Sequence, residues 1–326
     1  MKKWIGLVTI TLFVLIAQAC SNSASGDGEK PEKIVLDYAY YSPTSVILKK
    51  FGWAEEAFEK DGIDVEFVLS QGSNKALEFL NSSSVDFGST AGAAALIAKS
   101  KGAPIESVYI FSKPEWTALL TNGDSPITKV EDLKGKKVAA TIGTDPHIFL
   151  LRALDEAGLA ASDVEVVNLQ HADGGSALTT GQVDAWSGLD PHMAKIELEA
   201  DTKFIYRNPE FNTYGTLNVR SEFAKEHPEE VKKVIELYEK ARKWVLDNPE
   251  EAAKILAEEA QITLDVANKE MERNDFSSPV PGDAQKDALL SAGEVLEKDG
   301  IIQSGTDIKD LVNSLINPAF SKEVIQ

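Results

Sequence analysis

Cysteine is almost missing from these 326 residues: Cys20 stands alone. That excludes an internal disulfide framework, a thiolate metal site and a thiol nucleophile in the globular part. Histidine is nearly as scarce. His147, His171, His192 and His227 are widely spaced and no two stand four apart, so the helical zinc pair is excluded and no metal is expected. Positive charge is in the minority, with 33 Lys and Arg against 52 Asp and Glu and a net charge of −19. Such a surface repels a phosphate backbone and argues against nucleic acid; a captured anion must be held by local geometry, not by the overall field. Past the amino terminus no run of eighteen apolar residues occurs, so nothing else reads as a membrane span. A Gly-x-Ser-x-Gly elbow, a phosphate-loop lysine motif and a dinucleotide fingerprint are also lacking, and no cofactor is expected.

The amino terminus does carry an address. Lys2 and Lys3 precede an apolar stretch from Leu7 to Ala17, and Ala17-Gln18-Ala19 leads to Cys20. This resembles a bacterial lipoprotein signal. The resemblance implies that residues 1–19 are removed, that Cys20 is lipidated, and that the chain is held on the extracytoplasmic face of the cell membrane. An ordinary secretory signal cut after Ala19 is the alternative. Residues 20–32, rich in Ser, Gly and charge, read as a flexible tether.

The globular part contains one pattern twice. Ala76 to Ser89 (ALEFLNSSSVDFGS) answers to Ala177 to Ser187 (ALTTGQVDAWS): an apolar helix end, a polar turn, a strand opening on Val-Asp, then small or hydroxyl residues. Strand and helix patterns alternate around both copies. A chain that builds this unit twice is expected to form two doubly wound α/β lobes with facing loops and a cleft between them. Residues 33–122 plus 217–326 are assigned to the first lobe and 123–216 to the second, joined by a two-segment hinge. The last hundred residues read as amphipathic helices packed on the first lobe, with Val231, Val234, Ile235, Tyr238, Ala241 and Val245 on one face.

Binding chemistry is expected where strands run into helices. Gly88-Ser89-Thr90 and Gly143-Thr144 each precede a helix pattern, and a helix start offers unpaired N–H groups to an anion. A tight turn is the plainer reading of either loop alone. Trp186 reads either as a wall for an alkyl chain or as core. Asp190, ahead of Pro191, reads as a partner for a ligand amine, as a lobe-closing contact, or as a helix cap. Of Tyr40 and Tyr41, strand alternation turns one inward and one toward the cleft. His171-Ala172-Asp173 is placed in a loop.

Four segments carry a family resemblance: Leu80 to Thr90 (LNSSSVDFGST), Ser125 to Lys137 (SPITKVEDLKGKK), Leu150 to Leu159 (LLRALDEAGL) and Gly181 to Pro191 (GQVDAWSGLDP). They resemble the aliphatic-sulfonate, taurine and nitrate receptors of bacterial ABC importers, the NMT1/THI5-like family, and most of all the alkanesulfonate-binding branch. The likeness runs from Ile34 to about Ile302. It implies the type II periplasmic-binding-protein fold and a receptor, not an enzyme. It also implies a small organic anion as solute, an aliphatic sulfonate or taurine, delivered by a monomer to an ABC permease and its ATPase. Carried over by motif, the ligand is met by Ser89, Thr90, Gly143 and Thr144 and bordered by Trp186 and Asp190. Tyr41 and Ser42, with Thr213 and Tyr214, complete the cleft. Asp145, next to this set, either caps its helix or would repel a sulfonate. The same fold serves thiamine-pyrimidine precursors, nitrate and aromatic acids. Pyrimidine synthases share it too, but carry a cysteine-rich segment that this chain lacks.

Overall fold

The computed structural model describes residues 30–325, so the signal, Cys20 and most of the tether lie outside the described residues. Eleven strands form among them: β1 (Lys33–Tyr38), β2 (Asp64–Leu69), β3 (Phe87–Ala91), β4 (Ile105–Pro114), β5 (Leu119–Asn122), β6 (Lys137–Ala140), β7 (Glu165–Asn168), β8 (Ala185–Ser187), β9 (Thr202–Tyr206), β10 (Gly215–Arg220) and β11 (Asn274–Asp275). They make two sheets, in the orders β11-β4-β10-β3-β1-β2 and β7-β6-β8-β5-β9.

The two sheets have one plan. In the first, β1 lies parallel to β2 and β3, and β10 runs antiparallel between β3 and β4. In the second, β6 lies parallel to β7 and β8, and β5 runs antiparallel between β8 and β9. The sequence repeat falls on equivalent places, the helix Ser73–Asn81 with β3 and the helix His171–Thr179 with β8. Its Val-Asp pair has a structural purpose. Asp86 Oδ2 accepts from Val35 N–H, and Asp184 Oδ2 accepts from Lys137 N–H, both at 2.8 Å. Each aspartate therefore satisfies a main-chain donor at the opening of the neighbouring strand, which would otherwise stay unpaired.

The lobes connect through residues 115–118 and 207–214. The first crossing thus comes earlier than the expected 122/123 boundary, because β5 pairs with β8 and β9. Alternation identifies a strand but not its sheet, so Leu119–Asn122 read equally well as the end of the first lobe. The return comes slightly before the expected 216/217 boundary, since Gly215 already pairs with Ala91.

Apolar burial follows the same division. One core fills the first lobe and includes the expected stripe on the helix Pro228–Asp247. Ile148 and Leu151, from the second-lobe helix Asp145–Glu156, join that core, so the lobes meet through packed side chains next to the crossings. Two smaller clusters lie on either side of the second sheet. Among the described residues no helix is long and apolar enough to cross a membrane.

Candidate functional site

Four strand ends converge on one cavity of about 250 Å³ between the lobes. β1 leads to Tyr40 and Tyr41, and β2 to Ser70 and Gln71. From the second lobe, β7 leads to Gln170, His171, Ala172 and Asp173, and β8 to Leu189, Asp190, Pro191 and His192. All four are parallel strands that open at their carboxyl ends, where side chains and helix starts are free to face a ligand. Leu69 and Leu189 give the wall an apolar component.

The helix His171–Thr179 aims its amino terminus at this space. Its first ladder bond runs from Gly174 N–H to Gln170 O at 2.7 Å, which leaves the amides of Ala172 and Asp173 ahead of the ladder. Opposite stands the start of the helix Ser73–Asn81, entered through Gly72. A methyl group on Gly72 would come within 2.8 Å of both His171 Nε2 and Asn74 Oδ1. The lobes are therefore in close contact along one side of the cavity.

Of the ten expected ligand residues, Tyr41 and Asp190 line the cavity. Tyr41 donates its hydroxyl to Ser89 O at 2.9 Å and meets the Trp116 ring edge-on at 5.8 Å between centroids. Asp190 is 1 % exposed and accepts from Ala194 N–H at 2.8 Å, as a cap would. It also receives Arg273 Nη1 on both oxygens at 3.2 Å, and Arg273 Nη2 reaches Glu197. Because Arg273 adjoins β11 of the first sheet, this buried pair bridges the lobes. Burial pushes the Asp190 carboxyl up to about 7 against the pull of Arg273. Beside it, Glu270 is wholly buried, its carboxyl has no hydrogen-bond partner among the described residues, and burial and the Asp190 charge hold it well above the carboxylate range. Of the three readings for Asp190, the bond to Ala194 N–H matches the helix cap and the Arg273 pair matches the lobe-closing contact.

The other eight lie elsewhere. Ser42 is buried and its hydroxyl has no hydrogen-bond partner among the described residues. Ser89 sits inside β3, where its N–H donates to Asp37 Oδ1 at 2.8 Å. Thr90 is held by Asn218 and Thr216 within the first sheet. Gly143 takes φ +82° and faces open space, while Thr144 donates to Thr141 O at 2.6 Å. Trp186 is core, 1 % exposed, lodged against Gly174, Gly175 and Gly188, none of which has room for a methyl group without displacing the ring. Tyr214 is half-buried, with the Lys113 ammonium 5.9 Å from its ring centre.

Thr213 and Asp145 join the second crossing to the start of the helix Asp145–Glu156. Asp145 accepts from Trp116 Nε1 at 2.8 Å, from Thr213 N–H at 2.9 Å and from the Thr213 hydroxyl at 2.6 Å. Thr213 Oγ1 in turn accepts from Ala93 N–H at 3.0 Å, the start of the helix after β3. Of the residues expected around an anion, Thr213 does meet one, but it is the protein's own carboxylate. Burial raises that carboxyl to about 6, with Thr213, Trp116 and Arg152 pulling it down. Trp116 and Thr213 belong to the two crossings, so Asp145 ties both hinge segments together.

Ser70, Gln71, Gln170, His171, Ala172, Asp173 and His192 were missed by sequence reasoning. The usable signal was the strand-end rule itself, applied to β2 and β7 as well as to the glycine-rich ends. Among the described residues no group of three His, Cys, Asp or Glu side chains could hold a metal ion.

Comparison with known proteins places this geometry. The NMT1/THI5-like family profile matches residues 53–252. The chain belongs to the NMT1/THI5-like family. A protein of Bacillus subtilis (strain 168), provisionally named an aliphatic sulfonates-binding protein, is 28 % identical over 99 % of this chain and 98 % of its own length. An Escherichia coli (strain K12) protein with the same provisional name is 26 % identical over 94 % and 93 %. Among solved structures, the alkanesulfonate-binding protein from Xanthomonas axonopodis pv. citri bound to MOPS superposes with a TM-score of 0.78 at 22 % identity, covering 87 % of this chain and 98 % of that one. The fold is thus the two-lobed periplasmic-binding-protein fold expected from the sequence. All three of these similar proteins are named for binding.

Proposed function

We propose that this chain is the extracytoplasmic substrate-binding component of an ABC importer, anchored through a lipid on Cys20, which captures an aliphatic sulfonate or a taurine-like compound. It works as a monomer and hands the solute to a permease driven by its ATPase. The interlobe cavity carries the reading. It is built from strand ends of both lobes, is bordered by a bridging Asp190–Arg273 pair, and has a helix amino terminus aimed into it. Such a helix start favours an anionic group by roughly 0.3–2 kcal/mol and needs no lysine or arginine to do so. Leu69 and Leu189 offer apolar surface for a short alkyl portion. An enzyme of the pyrimidine-synthase type is disfavoured by the cysteine content, since Cys20 is the sole cysteine.

The test is thermal unfolding of the mature chain carrying Cys20→Ser, with alkanesulfonates, nitrate, an aminopyrimidine and benzoate. A ligand at a thousand times its Kd adds about 4 kcal/mol of stability. Sulfonates alone should raise the midpoint; a rise with the aminopyrimidine or benzoate and none with sulfonates refutes the ligand class.

A further inference from the structure

One buried side chain of the cavity has its protonation pattern fixed by its neighbours. Thr141 Oγ1 donates its single hydrogen to Leu169 O at 2.7 Å. Its contact with His171 Nδ1 at 3.1 Å therefore requires the ring to donate from Nδ1. A neutral ring protonated there has a bare lone pair at Nε2. That atom has no partner among the described residues, on a side chain 1 % exposed. His171 lines the cavity, and on its Nε2 side Gly72 of the first lobe stands so near that a methyl group there would come within 2.8 Å. Burial, reinforced by His192, holds the ring down to about 3, so it stays neutral at ordinary pH.

The same helical turn offers opposite chemistry a few ångströms of chain away, in the free amides of Ala172 and Asp173. One end of a ligand meets donors there, and a neighbouring group meets a pure acceptor. A plain alkyl chain placed against Nε2 would leave that lone pair dry and unpaired. We propose that His171 is a specificity-determining residue: its Nε2 accepts a hydrogen bond from an amino or hydroxyl group on the carbon chain of the bound anion. The receptor thereby prefers amino- or hydroxy-substituted alkanesulfonates over unsubstituted ones. This rests on the sulfonate-receptor reading above.

Calorimetry on the mature Cys20→Ser chain with ethanesulfonate, 2-aminoethanesulfonate and 2-hydroxyethanesulfonate separates the two. The substituted ions should bind roughly tenfold or more tightly than ethanesulfonate, since the site's buried acceptor is paired by them alone. In His171→Phe that ratio should fall toward one, while His171→Gln, which keeps an acceptor, should retain part of it. Equal affinity for all three in the unsubstituted chain overturns the inference and leaves the receptor reading standing. Binding of none overturns both. A preference that survives intact in His171→Phe overturns the role given to this ring. Nitrogen NMR needs no substitution: the His171 Nε2 resonance should move with 2-aminoethanesulfonate and hold with ethanesulfonate, and its failure to move sinks the contact.

Discussion

Thr213 donates twice to Asp145, from its hydroxyl to Oδ1 at 2.6 Å and from its N–H to Oδ2 at 2.9 Å. The pair fastens the second crossing segment to the first turn of a second-lobe helix, and Trp116 adds the first crossing to the same carboxylate. Thr213→Val keeps the shape and the main-chain bond, and removes the hydroxyl that donates to Asp145 and accepts from Ala93 N–H. Stability should fall by about 1–3 kcal/mol, the usual cost of unpaired buried polar groups. Urea unfolding measures it, and an unchanged midpoint would show that the hinge does not depend on this tie.

Arg273 and Asp190 carry a second interlobe connection, with Glu197 as a third member. Removing the cation by Arg273→Met leaves two carboxylates without their partner, one of them fully buried. The expected loss is about 3–5 kcal/mol. Asp190→Asn in the same chain should recover part of it, giving a coupling that a double-mutant cycle reads directly. Additive effects would mean that the two groups act separately.

Gly72 lies in extended backbone, so its lack of a side chain answers to space and not to dihedral strain. Gly72→Ala would set a methyl group 2.8 Å from His171 Nε2 and Asn74 Oδ1. Closure should be impeded and ligand affinity should drop by roughly tenfold or more, with little change in unfolding stability. Unaltered affinity would show that the lobes do not need this contact to close.

His171 gives a pH signature. Its ring titrates near 3 in the folded chain and near its ordinary 6.5 when unfolded, because burial and His192 oppose the charge. Between those values the unfolded chain binds a proton that the folded one does not, so stability is lost as pH falls from 6.5 toward 3. Each such pH unit costs up to about 1.4 kcal/mol. Relative to His171→Gln, the unsubstituted chain should lose stability across that window and run parallel to it above pH 7. Parallel curves throughout would mean that the ring takes up its proton equally readily in the folded and unfolded chain.

Cys20→Ser tests the anchor. In cells the unsubstituted chain should sediment with membranes, and the variant should appear in the soluble extracytoplasmic fraction, since serine cannot take the thioether. Equal partitioning of the two would refute lipidation.

How far the residues alone revealed this molecule depends on what each one does. The Val-Asp repeat was legible because Asp86 and Asp184 perform the same main-chain service in both sheets. Both lobes and their strand–helix rhythm followed from it. The small residues of β3 misled for a physical reason: Gly88 is small because a methyl group there would meet Leu80 at 2.8 Å, so the helix packs close to the strand. Close packing and ligand access call for the same residue types. Gly174 and Gly175 made the region of His171 look like a loop, yet they are small to admit the Trp186 ring and the helix begins at His171. Two glycines before a tryptophan and one after were the readable sign of a buried indole. Asp145, which looked misplaced beside an anion, turned out to be the acceptor that Trp116 and Thr213 share.

The matching strand orders also dictate a sequence of assembly. β10 lies between β3 and β4, near the middle of the amino-terminal sheet, although it follows the whole of the second lobe in the chain. A polypeptide emerging amino end first across the membrane therefore presents β1 to β4 with a gap between two of them. The second sheet has all five of its strands in one unbroken segment and can close while the earlier half still waits. The inserted lobe is thus the natural first folder, and the outer half holds an open seam until residue 220 has emerged.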